Sequence, residues 1–219
     1  YGPRVPFFAA AGISILNFAY GYFVLPETLP PDSRRPFNLA RSNPIGVFKV
    51  FSTYRQALPL CIVMAMYFFA TSVYPAIWAF WGIARFNWSE STIGLTLAIF
   101  GMIAAVVQGG LTGPVVNWLG ERNTAILALA TSFIVAAGYG LATGMSMVLV
   151  LFVIHAPEGF AQPALTALMS NDAPPDAQGE LQGGIASAQN LALLAGTVMF
   201  AQIFGYFLQD GSPIQSPNV

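Results

Sequence analysis

The sequence predicts an all-α integral membrane protein with six membrane-spanning helices. Hydrophobic residues make up 56% of its 219 residues and charged residues only 8%, whereas soluble domains carry about 25% charged residues. The apolar residues are collected in runs that approach or exceed the roughly 20 helical residues needed to cross a bilayer. Since backbone groups in lipid must be satisfied internally, each run is expected to be a helix. The lipid bilayer is therefore the first predicted partner.

Six apolar runs are separated by short polar gaps. The runs cover approximately residues 5–25, 58–82, 92–112, 124–142, 146–169 and 182–208. Only the first gap is long, and six of the eight Lys and Arg residues fall on its side of the membrane: Arg34, Arg35, Arg41, Lys49, Arg55 and Arg122. Basic loops face the cytoplasm. The pattern predicts a multi-pass protein of the inner membrane, with the long gap in the cytoplasm and both chain ends outside.

Composition also excludes several classes of function. The net charge of −1 leaves no basic stripe for phosphates, so no nucleic-acid partner is expected. Cys61 is the only cysteine and lies in an apolar run, which argues against a disulfide framework or a thiol metal site. There is one histidine and no nucleotide-binding P-loop. We therefore expect that the protein is not an enzyme and that it holds no cofactor and no metal. If it transports a solute, the energy would come from an ion gradient.

The fifth run carries an acid at its centre. Glu158 lies near the middle of residues 146–169, and the other eight acids lie in gaps or at run ends. A charge at the bilayer midplane costs several kcal/mol unless it is protonated, paired or hydrated, so an acid at this depth indicates a functional site. Pro157, Gly159 and Pro163 interrupt the helix beside it, and a broken helix frees backbone groups for a substrate or an ion.

His155 and Glu158 are three residues apart, so they are expected to share one helix face. Gln162 lies four residues further and extends this polar stripe. Glu158 and His155 are the candidates for coupling transport to protons. Glu158 would bind and release the proton, and the imidazole of His155 is expected to hold the proton or to stabilise the carboxylate anion of Glu158. Two alternatives remain open: Glu158 only hydrogen-bonds the kinked backbone, or His155 is a packing residue.

The gap between the third and fourth runs has a recognisable sequence, GPVVNWLGER, at residues 113–122. It resembles the loop signature of the major facilitator superfamily, roughly G-x-x-x-D-R-x-G-R-R. Gly113, Gly120 and Arg122 match this signature, whereas Asn117 stands at the place of its acid and Trp118 at the place of a base. The resemblance implies a short cytoplasmic gating loop.

Other segments are similar to the tetracycline-efflux branch of this superfamily, in unbroken order over nearly the whole chain. They include TLPPDSRRPFNLARSNPIGVFK, FNWSESTIGLTLAIFG, QGGLTGPVVNWLGER, QPALTALMS and AQGELQGGIAS. The resemblance implies a major-facilitator-type bundle and helices six to eleven of a twelve-helix transporter. Residues 1–25 would be the last helix of the N-terminal bundle, 26–57 the central cytoplasmic loop, and 58–219 five helices of the C-terminal bundle. The last helix of the C-terminal bundle and the other helices of the N-terminal bundle would then lie outside this sequence.

The sequence departs from that branch at two positions. The tetracycline pumps carry a membrane histidine at the place of Ala104 and an aspartate at the place of Ser132. Gln108 matches a polar position of the family's eighth helix. Proton coupling would therefore have to use Glu158, which stands where the pumps have a small residue.

Several further polar residues are candidates for lining a substrate cavity. Gln189, Asn190 and Asn17 either face a cavity or bridge helices. Tyr67, Thr71 and Tyr74 form an i, i+4, i+7 stripe that suits either a flat hydrophobic molecule or plain packing. Trp78, Trp81 and Trp88 are predicted to anchor the outer interface.

These features predict a secondary transporter, most directly a proton-coupled exporter of amphipathic small molecules. The alternative is a transporter-derived scaffold, an accessory subunit bound to a larger membrane complex.

Overall fold

The computed structural model describes residues 4–26, 50–171, 174 and 177–208, and this part of the chain is helical, without strands. Its α-helices are α1 (Val5–Val24), α2 (Val50–Thr53), α3 (Ala57–Thr71), α4 (Val73–Phe86), α5 (Glu90–Val106), α6 (Thr112–Leu119), α7 (Glu121–Gly140), α8 (Met145–His155), α9 (Ala161–Ser170) and α10 (Gln178–Phe207). A π-helical turn, Val107–Leu111, joins α5 to α6, and a 3-10 turn, Ala156–Phe160, joins α8 to α9.

Joined end to end, these helices give six stretches that are long and apolar enough to cross a membrane. They are Val5–Val24, Ala57–Phe86, Glu90–Leu119, Glu121–Gly140, Met145–Ser170 and Gln178–Phe207. Each stretch contains most of one predicted run, because a helix in lipid is the arrangement that satisfies its own backbone. The prediction of an all-α fold with six membrane-spanning helices is confirmed.

The chain divides into two compact units, Tyr1–Asn38 and Leu39–Val219. The described helix of the first unit is α1, which has a proline in its first turn and no buried residue. Asn17 lies on this helix and is exposed. In the second unit, α10 packs along α3 and α4, while α7 packs against α8, the 3-10 turn and α9.

The core of the second unit forms three layers that follow one another along α7. Ala125 belongs to a cluster with Met64 and Leu165. Ala128 belongs to a cluster with residues of both irregular turns, and the third layer, around Val135, is rich in aromatic side chains. The middle layer therefore lies where the two turns interrupt their spans.

The tryptophans of the aromatic layer pack inside the protein. Trp88 is only 8% exposed, and Trp78 donates a hydrogen bond from Nε1 to Thr96 Oγ1 at 3.0 Å. Asn87 ends α4 in a left-handed conformation, φ 54°, which turns the chain so that the ring of Trp88 lies against Gly82. This turn therefore directs Trp88 into the core, whereas the anchoring of Trp78, Trp81 and Trp88 at the membrane interface stays a prediction.

The gap predicted at residues 113–123 is almost entirely helical. α6 continues to Leu119, and α7 begins at Glu121, so Gly120 alone separates them, with φ 77°. Asn123 then donates a hydrogen bond from Nδ2 to the Leu119 carbonyl at 2.9 Å and covers the end of α6. The predicted short loop is therefore too long in its bounds, since one glycine in this conformation makes the whole turn.

Parts of the predicted central loop and of the C-terminal tail lie outside the described residues. They include Arg34, Arg35, Arg41 and Lys49, which carried the predicted orientation. The described end of the loop is α2, whose Val50 and Phe51 are buried and lie against Gly184 of α10. The assignment of residues 1–25, 26–57 and 58–219 to particular transporter segments stays a prediction.

Candidate functional site

The two irregular turns pack against each other and position the site. Gly159 of the 3-10 turn lies so close to Val107 of the π turn that an added Cβ would be 3.0 Å from Val107 Cγ1. Pro157 begins the 3-10 turn with its ring in a position that needs no backbone N–H. Helix irregularities of both kinds often occur at functional positions, because they redirect side chains and free backbone groups.

Glu158 is at the centre of this arrangement and is only 3% exposed. Tyr67 on α3 donates a hydrogen bond from its hydroxyl to Glu158 Oε1 at 3.4 Å, and the same hydroxyl lies 3.5 Å from the Glu158 carbonyl oxygen. The second carboxylate oxygen, Oε2, lies 3.1 Å from His155 Nε2. This contact lacks the alignment of a hydrogen bond, and Oε2 has no other polar partner in the described chain.

His155 is also buried, with 6% of its surface exposed. Its second ring nitrogen, Nδ1, lies 3.3 Å from the hydroxyl of Tyr139 on α7. Aromatic rings surround the imidazole: the ring centroids of Phe100, Tyr74 and Tyr139 lie 4.7, 5.0 and 5.9 Å from its own. These three rings form the aromatic surroundings that hold the imidazole in its position.

Tyr139, His155, Glu158 and Tyr67 therefore form a continuous polar chain across three membrane spans. The remaining acids and bases of the described spans, Arg85, Glu90, Glu121, Arg122 and Glu180, are in the first or last turn of a span. The spatial arrangement thus confirms that His155 and Glu158 share one side of their span and contact each other. No group of residues that could hold a metal ion occurs in the described part of the chain.

Two cavities meet at His155. The polar cavity, about 260 Å³, is lined by Tyr67, Thr71, Tyr74, Pro75, Phe100, Ile103, Ala104, Gln108, His155, Ala156, Glu158 and Gly159. The aromatic cavity, about 430 Å³, is lined by Tyr74, Pro75, Trp78, Ala79, Thr96, Leu97, Phe100, Tyr139, Phe152 and His155. Glu158 lines only the first and Tyr139 only the second, whereas His155 lines both.

Some predicted site residues meet at these cavities. Tyr67 and Thr71 line the polar cavity together with Glu158, and so does Gln108. Gln108 reaches it because it belongs to the π turn, where the extra residue per turn changes the direction of the side chain. Ala104 lines the same cavity.

Other predicted residues lie elsewhere. Gln189 donates a hydrogen bond from Nε2 to Met64 Sδ at 2.7 Å and so links α10 to α3. Gln162 and Asn190 are exposed, and neither lines the two cavities. The 3-10 turn rotates the helix after Glu158, so the predicted stripe does not continue to Gln162.

Gly113, Asn117, Gly120 and Arg122 are exposed around the turn between α6 and α7, outside both cavities. Three further residues of the site were not predicted from the sequence: Tyr139, Phe100 and Phe152. These aromatic residues lie in apolar runs whose spacing does not distinguish a cavity wall from packing.

The fold and the site define a class: a multi-pass helical membrane protein with a buried ionisable pair where two spans are interrupted. Family comparison is consistent with this class and makes it specific. The family model "Major Facilitator Superfamily" matches residues 1–197, and the chain belongs to this superfamily of membrane transporters. The predicted major-facilitator-type bundle is thereby confirmed.

Curated relatives confirm the resemblance to the tetracycline-efflux branch. The class C tetracycline resistance protein of Escherichia coli is 33% identical over 92% of this chain and 50% of its own length. The class G protein of Vibrio anguillarum is 32% identical over 92% of this chain and 51% of its own. Multidrug resistance protein 2 of Bacillus subtilis is 29% identical over 96% of this chain and 52% of its own. The chain therefore spans about half the length of these relatives. No solved structure matches it.

Proposed function

We propose that this chain forms part of a secondary active transporter of the inner membrane that exports amphipathic small molecules in exchange for protons. The observation that carries the proposal is the buried pair of His155 and Glu158 at 3.1 Å, placed between a polar and an aromatic cavity. The names of the relatives, tetracycline resistance and multidrug resistance proteins, support drug-like substrates.

The two cavities suggest how such a substrate binds. An aromatic or otherwise apolar part would occupy the aromatic cavity, where Trp78, Phe100 and Phe152 offer ring faces. Its polar part would reach the polar cavity beside Glu158 and Gln108. Sites of this composition, mostly apolar with a few placed polar groups, are typical of small-molecule binding.

Glu158 would couple this binding to a proton. A charged carboxylate is costly in a dry membrane interior, so the empty site would change its access most readily when Glu158 carries a proton. Loss of that proton restores the charge that a substrate's polar part contacts. The protein would alternate between inward-open and outward-open states by rocking against a partner bundle. That partner would be the N-terminal half of the transporter, with α1 as its last helix.

The test uses the full-length transporter in proteoliposomes with a panel of amphipathic dyes. Glu158→Gln keeps the size of the side chain and removes its titration, so proton-driven dye transport is expected to fall to the level of empty liposomes. Glu90→Gln, which changes an exposed acid at the start of α5, is the matched control and should transport as the parent does. Undiminished transport by Glu158→Gln would exclude Glu158 as the coupling group.

A further inference from the structure

We propose that Tyr139 is the positioning residue of proton coupling: its hydroxyl holds His155 Nδ1, so that Nε2 faces Glu158. This inference rests on the proposed function and adds a residue to it. The observations are two distances on opposite sides of one ring, 3.3 Å from Nδ1 to the Tyr139 hydroxyl and 3.1 Å from Nε2 to Glu158 Oε2. Because the two ring nitrogens point in different directions, a partner on one of them fixes where the other points.

A tyrosine hydroxyl suits this position because it can both donate and accept a hydrogen bond. When the imidazole is neutral with its proton on Nε2, the hydroxyl donates to Nδ1. When the imidazole is protonated, Nδ1–H donates and the hydroxyl accepts. His155 is 6% exposed, so a side-chain partner at Nδ1 satisfies a largely buried nitrogen in both protonation states. Tyr139 therefore lets the pair of His155 and Glu158 change its protonation without leaving a buried ring nitrogen unpaired.

The ring of Tyr139 is held in place independently of its hydroxyl. It is 7% exposed, and it packs edge-on against Tyr74, Trp78 and Phe152 with centroid distances of 5.7, 5.3 and 6.4 Å. Phenylalanine at position 139 would keep all of these ring contacts. Removal of the hydroxyl is therefore a change in the polar chain and not in the packing of the aromatic layer.

The groups around His155 leave no second candidate for this role in the described chain. Tyr74 on α4 and Phe100 on α5 contact the imidazole through their rings, and the hydrogen bonds and close ionic contacts of its two nitrogens are those to Tyr139 and Glu158. Tyr67 contacts Glu158 from the far side. Among the described residues, the hydroxyl of Tyr139 is thus the polar side-chain partner of His155 Nδ1.

The experiment separates substrate exchange from proton coupling in the full-length transporter. Dye counterflow at equal pH on both sides measures binding and the change of access, and dye transport driven by a pH gradient also needs the proton step. For Tyr139→Phe, we expect counterflow within about twofold of the parent and gradient-driven transport reduced about tenfold, the effect of leaving one buried polar group unpaired. Tyr206→Phe, a tyrosine 52% exposed on α10, is the control and should change neither.

A double-mutant cycle tests whether Tyr139 acts through His155. In a His155→Leu background, adding Tyr139→Phe should change gradient-driven transport by less than about twofold, because leucine offers no polar partner to the hydroxyl. A full additional loss in that background would overturn the inference. So would parental gradient-driven transport by Tyr139→Phe, or equal loss of counterflow and gradient-driven transport, which would show a structural role.

If Glu158→Gln keeps proton-driven transport, the proposed function itself fails. If only Tyr139→Phe behaves as the parent, the coupling at Glu158 stands and this inference alone fails.

Discussion

Gly196 on α10 packs tightly against the end of α3, and its replacement by alanine should destabilise the protein. A Cβ added there would overlap Ser72 Oγ and lie 2.5 Å from the carbonyl oxygen of Phe69. The hydroxyl of Ser72 is itself bonded to that carbonyl at 2.7 Å, and Ser72 is fully buried. The contact therefore involves backbone that cannot rotate away.

The size of the effect follows from the displacement required. To bring the new Cβ to an ordinary contact distance, α10 must move from the end of α3 by about 0.9 Å, and a gap of about 0.5–1 Å loses a quarter to a half of each dispersion contact nearby. Overpacking of this kind costs about 1–3 kcal/mol. Gly196→Ala should therefore unfold at a lower temperature than the parent.

Gly205, on the same helix, provides the matched control. Nothing lies within 4 Å of a Cβ added there, so Gly205→Ala should gain up to about 1 kcal/mol from the better helix propensity of alanine. Thermal unfolding of the full-length protein in detergent, followed by circular dichroism, compares the two variants directly. If Gly196→Ala is as stable as Gly205→Ala, the close crossing at Gly196 is wrong.

Two further substitutions test the site and the aromatic layer. Tyr67→Phe removes the hydroxyl that donates to Glu158 and should slow gradient-driven dye transport by about tenfold while the protein keeps its unfolding temperature; parental transport would show that this contact has no role. Thr96→Val leaves Trp78 Nε1 without its buried acceptor and should cost about 1–3 kcal/mol. Thermal unfolding measures that loss, and an unchanged melting temperature would mean that the tryptophan finds another partner.

The membrane spans and the central position of Glu158 could be predicted from the sequence, because both follow from counting residues along the chain. A run of apolar residues sets the length of a span, and Glu158 is central in Met145–Ser170 because of its position in that run. The contact with His155 follows from a separation of three residues. None of these results needs a contact between segments that are distant in sequence.

The partners of the pair could not be predicted in this way. Tyr139 contacts His155 from sixteen residues away, and Tyr67 contacts Glu158 from ninety-one residues away. Their positions depend on how α7 and α3 pack, and apolar periodicity alone does not encode that packing. The burial of Trp88 could not be predicted for the same kind of reason. It depends on the left-handed conformation of Asn87 and on the absence of a side chain at Gly82.

The pair and its partners also explain why two spans are irregular at the same level. A regular helix through residues 156–160 would continue the stripe from Glu158 to Gln162, whereas the 3-10 turn leaves Gln162 exposed and Glu158 buried. The π turn brings Gln108 to the cavity from the other side, and Gly159 allows the two turns to touch. The irregular turns therefore confine the polar groups of both spans to one small cavity. This confinement keeps the carboxyl group of Glu158 away from the lipid, where a charge would cost several kcal/mol.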